Sequence, residues 1–100
     1  MASFKELING ELPVLIDFSA EWCGPCQMLK PELENFADKV KGKVRVLKID
    51  IDKNQPLAQQ YRVQGVPTLM LFDKGNMLWR GSGYMTAGQM EEIIQTNLPK

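Results

Sequence analysis

Glu21-Trp22-Cys23-Gly24-Pro25-Cys26 decides how the rest of the chain is read. The stretch carries both cysteines of the protein. Ahead of it runs Pro13-Val14-Leu15-Ile16-Asp17-Phe18, an almost unbroken apolar segment that reads as a strand covered on both faces. Behind it, residues Cys26 to Val40 read as a helix. The cysteine pair therefore falls where a strand ends and a helix begins. A thiol there can be both exposed and close to the positive end of a helix dipole. A Cys-x-x-Cys beside a strand–helix–strand pattern points to redox chemistry.

Composition narrows the alternatives. A chain of 100 residues makes one domain, spanning 1–100, with a single modest core. Hydrophobic residues are 44% and the formal net charge is zero, as in an ordinary globular protein. Without a basic run there is no electrostatic reason to expect nucleic acid. The apolar runs are too short to cross a bilayer, so no membrane is expected. No charged start followed by an apolar core marks a signal peptide, which favours the cytoplasm. An exported protein whose signal has been removed is the alternative. There is no histidine, which takes away the commonest metal ligand and the commonest general base.

The two cysteines allow one disulfide, closing a loop of about four residues. Loop entropy gives such a bridge ~2 kcal/mol, against ~4–5 for a long loop. It is a poor staple, so chemistry explains it better. Cys-x-x-Cys is also half of a four-thiolate metal or iron–sulfur site, but completing one here would need a dimer.

The remaining segments fall into order around the motif. Ser3-Phe4-Lys5-Glu6 fits a capping box opening a short helix, with Phe4, Leu7 and Ile8 on one face and Gly10 to end it. The first strand covers about Pro13 to Ser19. Along the helix, Cys26, Leu29, Leu33, Phe36, Ala37 and Val40 recur at three-and-four spacing, with Pro31 inside to kink it. Val44–Asp50 is a second strand, parallel to the first by a right-handed crossover. Asn54-Gln55-Pro56 starts a short helix through Tyr61. Thr68–Phe72 and Met77–Arg80 form a hairpin around Asp73-Lys74-Gly75-Asn76. Thr86-Ala87-Gly88-Gln89 is a second capping box, opening a helix whose buried stripe is Met90, Ile93, Ile94 and Leu98. The result is an α/β fold, a mixed sheet with helices on both faces.

Taken together, these residues resemble the thioredoxin family over nearly the whole chain. The resemblance rests on Asp17-Phe18-Ser19-Ala20-Glu21-Trp22-Cys23-Gly24-Pro25-Cys26, on Pro31, on Val66-Pro67-Thr68, and on Gly75 and Gly83. It implies the thioredoxin fold, but without the first strand of typical members. The sheet would then have four strands, with Val44–Asp50 at an edge guarded by the charges of Arg45 and Lys48. Ser19 stands where the family often has an aromatic residue, and Ser82 where it usually has an apolar one.

The chemistry is assigned residue by residue. Cys23, just before the helix, is the expected nucleophile, stabilised as a thiolate by free N–H groups of the first turn. A thiol near pKa 8.5 is roughly 3% ionised at pH 7, while the value of about 7 known for thioredoxins gives about half. Lower basicity costs nucleophilicity, which leaves a net gain of only about threefold. Docking of the substrate must supply the rest. Cys26, on the buried stripe, is the expected resolving thiol. Asp17, mid-strand among apolar residues, is the candidate base, a role that the resemblance also implies. Local hydrogen bonds or Lys48 on the neighbouring strand could satisfy it instead.

Gly24 and Pro25 shape the turn, and in relatives this dipeptide sets redox poise. The resemblance implies a cis Pro67 that leaves the Val66 backbone opposite Cys23 to pair with an extended substrate. Trp22, Pro25, Val66, Pro67 and Gly83 would form the docking patch. The function implied is a protein-disulfide reductase, a monomeric electron donor to oxidised client proteins. It would bind no cofactor, and a thioredoxin reductase using NADPH would recycle its Cys23–Cys26 disulfide. A scaffold subunit gripping a partner through the Trp22 patch is the non-enzymatic alternative.

Overall fold

β1 (Val14–Ser19) is the central element, and every residue in it except Ser19 is buried. The computed structural model describes residues 3–99. Around β1 stand α1 (Phe4–Ile8), α2 (Gly24–Lys39), β2 (Arg45–Asp50), α3 (Gln55–Gln60), β3 (Thr68–Asp73), β4 (Asn76–Ser82) and α4 (Ala87–Asn97). The strands form one four-stranded sheet in the order β2-β1-β3-β4. β1 runs parallel to β2 and antiparallel to β3, and β3 pairs antiparallel with β4. β2 is thus an edge strand, and Arg45 and Lys48 are exposed along it, as expected of a guarded edge.

Alternation along the strands sorts the core into two halves. Leu15, Leu69 and Leu71 face α2 and α4, meeting Leu29, Leu33, Phe36 and Met90. Val14, Ile16, Phe18, Met70 and Phe72 face the other way, toward Ile8, Phe4, Leu57 and Tyr61 of the α1 and α3 side. There Phe4 and Tyr61 each meet Phe72 edge-on, with ring centres 5.8 and 5.9 Å apart. Such pairs add about 0.5–1.5 kcal/mol each beyond burial. On the first face, Glu32 Oε1 of α2 accepts the Ala87 N–H at the start of α4, 2.8 Å away. A free N–H of the helix end is thereby satisfied, and the two helices are tied together.

Local chemistry sets the boundaries. Thr86 and Gln89 form the full reciprocal capping box expected of α4. At α1 only half the box forms: Glu6 N–H donates to Ser3 Oγ, while the Glu6 carboxylate takes up the Ser3 hydroxyl. Gly10 does not end that helix; Asn9 caps it, through an N–H bond to Glu6 O. The β3–β4 turn holds Lys74 and Gly75 at φ 51° and 85°, the paired positive values of a type I′ hairpin. The α4 stripe is narrower than expected: Met90 is buried, whereas Ile93, Ile94 and Leu98 are half-buried. α2 begins at Gly24 rather than Cys26 and continues through Pro31 to Lys39.

Candidate active site

The early start of α2 puts Cys23 at its N-cap, in extended backbone with φ −93° and ψ 115°. Its sulfur does the work that a serine hydroxyl does elsewhere, accepting the Cys26 N–H at 3.1 Å. Gly24 and Pro25 fill the first helical positions, where an N–H has no intrahelical partner and proline is tolerated. Cys23 and Cys26 are joined as a disulfide, with Cα atoms 5.2 Å apart. Both are almost fully covered, at 5% and 6% exposure, packed with Ala20, Ile51 and Val66. Cys23, the expected nucleophile, is therefore less exposed than its place in the sequence suggests. The bonded sulfurs turn toward each other and under the neighbouring side chains.

Three chain segments meet at this disulfide. The Val66–Pro67 bond is cis, as the resemblance implies. The Val66 carbonyl oxygen lies 3.5 Å from Cys23 Sγ. The segment is held from both sides. Thr68 Oγ1 donates to Gly65 O at 2.6 Å, and Gly83 N–H donates to Pro67 O at 2.9 Å. Gly83 has φ 94°, a conformation that favours glycine. Around the sulfurs, Trp22 is 70% exposed, Gly24 and Pro25 are exposed, and Val66 and Gly83 are half-buried. Pro67 is buried, so its ring adds nothing to a docking surface.

Asp17 lies within the sheet on the α2 face, at 1% exposure. Its Oδ1 has no hydrogen-bond partner among the described residues. Local hydrogen bonding therefore leaves that oxygen unsatisfied. Burial pushes its carboxyl up from 3.8 to about 6, and the charge of Lys48 pulls partly back. Lys48 sits opposite Asp17 in the β1–β2 register. The described residues contain no ion pair between them; Lys48 is exposed and acts at longer range. Lys48 and Cys26 line one cleft of about 210 Å³, together with Ser19, Lys30 and Asp50. The small Ser19 side chain helps form that opening beside Cys26.

Two contributors were not singled out in the sequence. Asp52 accepts the Trp22 indole N–H at 2.8 Å, across 30 positions. Its loop is folded by Asp50 Oδ1, which accepts the N–H groups of Asp52 and Lys53. The run Asp50-Ile51-Asp52-Lys53-Asn54 is the visible signal: turn-forming residues placed after β2, near the cysteines. Arg80 is the second. Its guanidinium donates to the carbonyls of Tyr61 and Arg62, clasping the loop that leads to Val66. No cluster of three or more potential metal ligands occurs among the described residues, and no helix there is long and apolar enough to cross a membrane.

Comparison with known proteins gives one consistent result. The sequence model of the thioredoxin family matches residues 1–96. A thioredoxin from Pseudomonas aeruginosa is 41% identical over 98 residues, covering 97% of this chain and 91% of that one. A thioredoxin from Rickettsia felis is 49% identical over 71 residues, which is 71% of this chain and 68% of the relative. Among solved structures, chloroplastic thioredoxin z superposes with a TM-score of 0.80 at 38% identity, over 86% of this chain and 78% of that chain.

Proposed function

The chain belongs to the thioredoxin family and is a thiol–disulfide oxidoreductase working through Cys23 and Cys26, and from that premise we propose a division of labour among its residues. Cys23 is the attacking thiolate. The Cys26 N–H that now donates to its sulfur at 3.1 Å also favours negative charge there once the pair is reduced. The client disulfide docks as an extended segment beside the Val66 backbone, against Trp22, Gly24, Pro25 and Gly83, with Pro67 beneath. Cys23 attacks one client sulfur; the client S–S bond breaks, and the other client sulfur leaves as a thiolate that takes up a proton. Cys26 then gives its proton to the Asp17 carboxylate and attacks Cys23 Sγ. The mixed disulfide breaks, the second client thiol is released, and two electrons have passed to the client. Lys48 holds Asp17 toward its ionised form, ready to accept that proton.

The observation that carries this reading is the position of Cys23 Sγ, between a donor N–H of α2 and the Val66 carbonyl at 3.5 Å. A sulfur so placed meets the helix end that stabilises a thiolate and the backbone that a client strand can join. We further assign the chain, acting as one domain, to the cytoplasm as a reductant of oxidised proteins. A thioredoxin reductase would recycle it, and NADPH would enter only through that partner.

The decisive measurement is the reduction potential of the Cys23–Cys26 pair, by thiol trapping across dithiol/disulfide buffers. A value near roughly −270 mV, characteristic of thioredoxins themselves, is expected. A value of about −120 to −180 mV would assign the chain to oxidation or isomerisation in an exported compartment instead.

A further inference from the structure

A second cleft, of about 380 Å³, borders the Val66 segment, lined by Arg62, Gln64, Gly65, Arg80 and Ser82 among others. Neither a carboxylate nor a large apolar side chain lines it. Arg62 is exposed and forms no ion pair among the described residues. Its backbone has φ 53°, a left-handed conformation that residues other than glycine adopt rarely. Arg62 is not carried on a loose loop. Its carbonyl accepts Arg80 Nη2 at 2.9 Å, so edge strand β4 fixes its position. The opposite flank of the disulfide is electrically mixed, with Glu21, Asp50, Lys30 and Lys48 around one cleft. A bias in client charge can therefore arise on the Arg62 side.

We propose that the Arg62–Arg80 cleft is a specificity subsite for an acidic client side chain. The occupant is an Asp or Glu flanking the cysteine of an extended client segment, and the cleft's two guanidinium charges favour its encounter and its register. The proposal rests on the reading that clients dock along Val66, the segment that the cleft adjoins. It also fits the chemistry: acidifying Cys23 yields only about a threefold gain, so selectivity and rate must come from docking.

The test uses the full chain, reduced, and symmetrical disulfide dimers of one extended peptide. The residue beside its single cysteine is Glu, Gln or Lys. Each second-order rate is divided by the rate of the same peptide with dithiothreitol, which cancels the intrinsic effect of the charge on the disulfide. The Glu peptide should be reduced about two- to fivefold faster than the Lys peptide at low ionic strength, the range that exposed ion pairs support. The ratio should fall toward one in Arg62→Gln, invert in Arg62→Glu, and shrink in roughly 0.5 M salt. Because the ratio is taken within each protein, a general change in reactivity drops out. Equal normalised rates in the wild type, or the same ratio in Arg62→Gln, would overturn the subsite and leave docking along Val66 standing. Failure to reduce any of the peptides would overturn both.

Discussion

Asp17 and Phe18 are neighbours on β1, and they face opposite worlds. Phe18 is fully buried in an apolar half-core of Val14, Ile16, Met70 and Phe72, closed by the aromatic rings of Phe4 and Tyr61. Asp17, equally buried, carries a carboxylate with one oxygen lacking any partner among the described residues, on the face that α2 covers. One side of the sheet is built for cohesion. The other gives up some cohesion at Asp17 to hold a titratable group on the face covered by α2, the helix whose start carries the cysteines. Apolar core lies on both faces, since Leu15, on the same face as Asp17, packs with α2 and α4. The difference is between the two residues: Phe18 serves stability and Asp17 chemistry, and substitutions should separate the two.

The largest effect is expected on the cohesive face. Phe18→Ala should lower the unfolding free energy by about 3–5 kcal/mol, the cost of a large cavity among close-packed side chains. The reduction potential of the folded protein should stay at its wild-type value, because Phe18 belongs to a different buried cluster from the two cysteines. Denaturant unfolding and redox titration on the same sample test both halves. A potential that shifts in step with stability would break the proposed separation.

Asp17→Asn should do the reverse. In the fold the carboxyl titrates near 6, against 3.8 as its ordinary value. Between those values the folded protein binds more protons than the unfolded chain. Wild-type stability should therefore fall as pH rises from about 4 to about 6, then level off. The two values differ by an amount worth roughly 3 kcal/mol. The amide of the variant does not ionise, so the variant should lack this decline and be the more stable protein at about pH 8. Its second chemical step should be slower, and the rate should lose its rise through about pH 6. Stopped-flow reduction across pH, set beside unfolding curves, separates the two readings. If Asp17→Asn left the pH–rate profile unchanged, the carboxylate would be a buried charge without a part in exchange.

Much of this division is visible in the sequence. The run Val14-Leu15-Ile16-Asp17-Phe18 contains its own anomaly, because a lone charge in a covered strand stands out against apolar neighbours. Capping chemistry located α4 closely, since Thr86 and Gln89 need only each other. The start of α2 was less legible. Apolar periodicity begins at Cys26, whereas Gly24 and Pro25 join the helix without adding to its stripe. The long-range polar contacts were not legible at all. Trp22 finds Asp52, and Arg80 finds the carbonyls of Tyr61 and Arg62, only after the sheet has brought distant loops to one end. Backbone carbonyls carry no residue identity, so nothing in the sequence could announce them as the partners of Arg80.

The smallest effect sharpens the comparison most, because it acts on the charge of Asp17 without touching the packing. Lys48 is exposed on edge strand β2, yet its charge lowers the Asp17 pKa from across the strand pair. Lys48→Met keeps the aliphatic stem and removes the ammonium. The Asp17 midpoint should then rise above about 6, by less than about one pH unit, since an exposed charge contributes ~0.2–1 kcal/mol. Carbon-detected NMR of the Asp17 carboxyl would follow this directly. High salt should move the wild-type midpoint the same way and leave Lys48→Met nearly unmoved, because at about 1 M the Debye length falls to ~3 Å. Lys48→Arg should restore the wild-type value. If instead the midpoint is the same in all three proteins, Lys48 does no more than guard the sheet edge. Desolvation of Asp17 would then set the pH of its proton transfer alone.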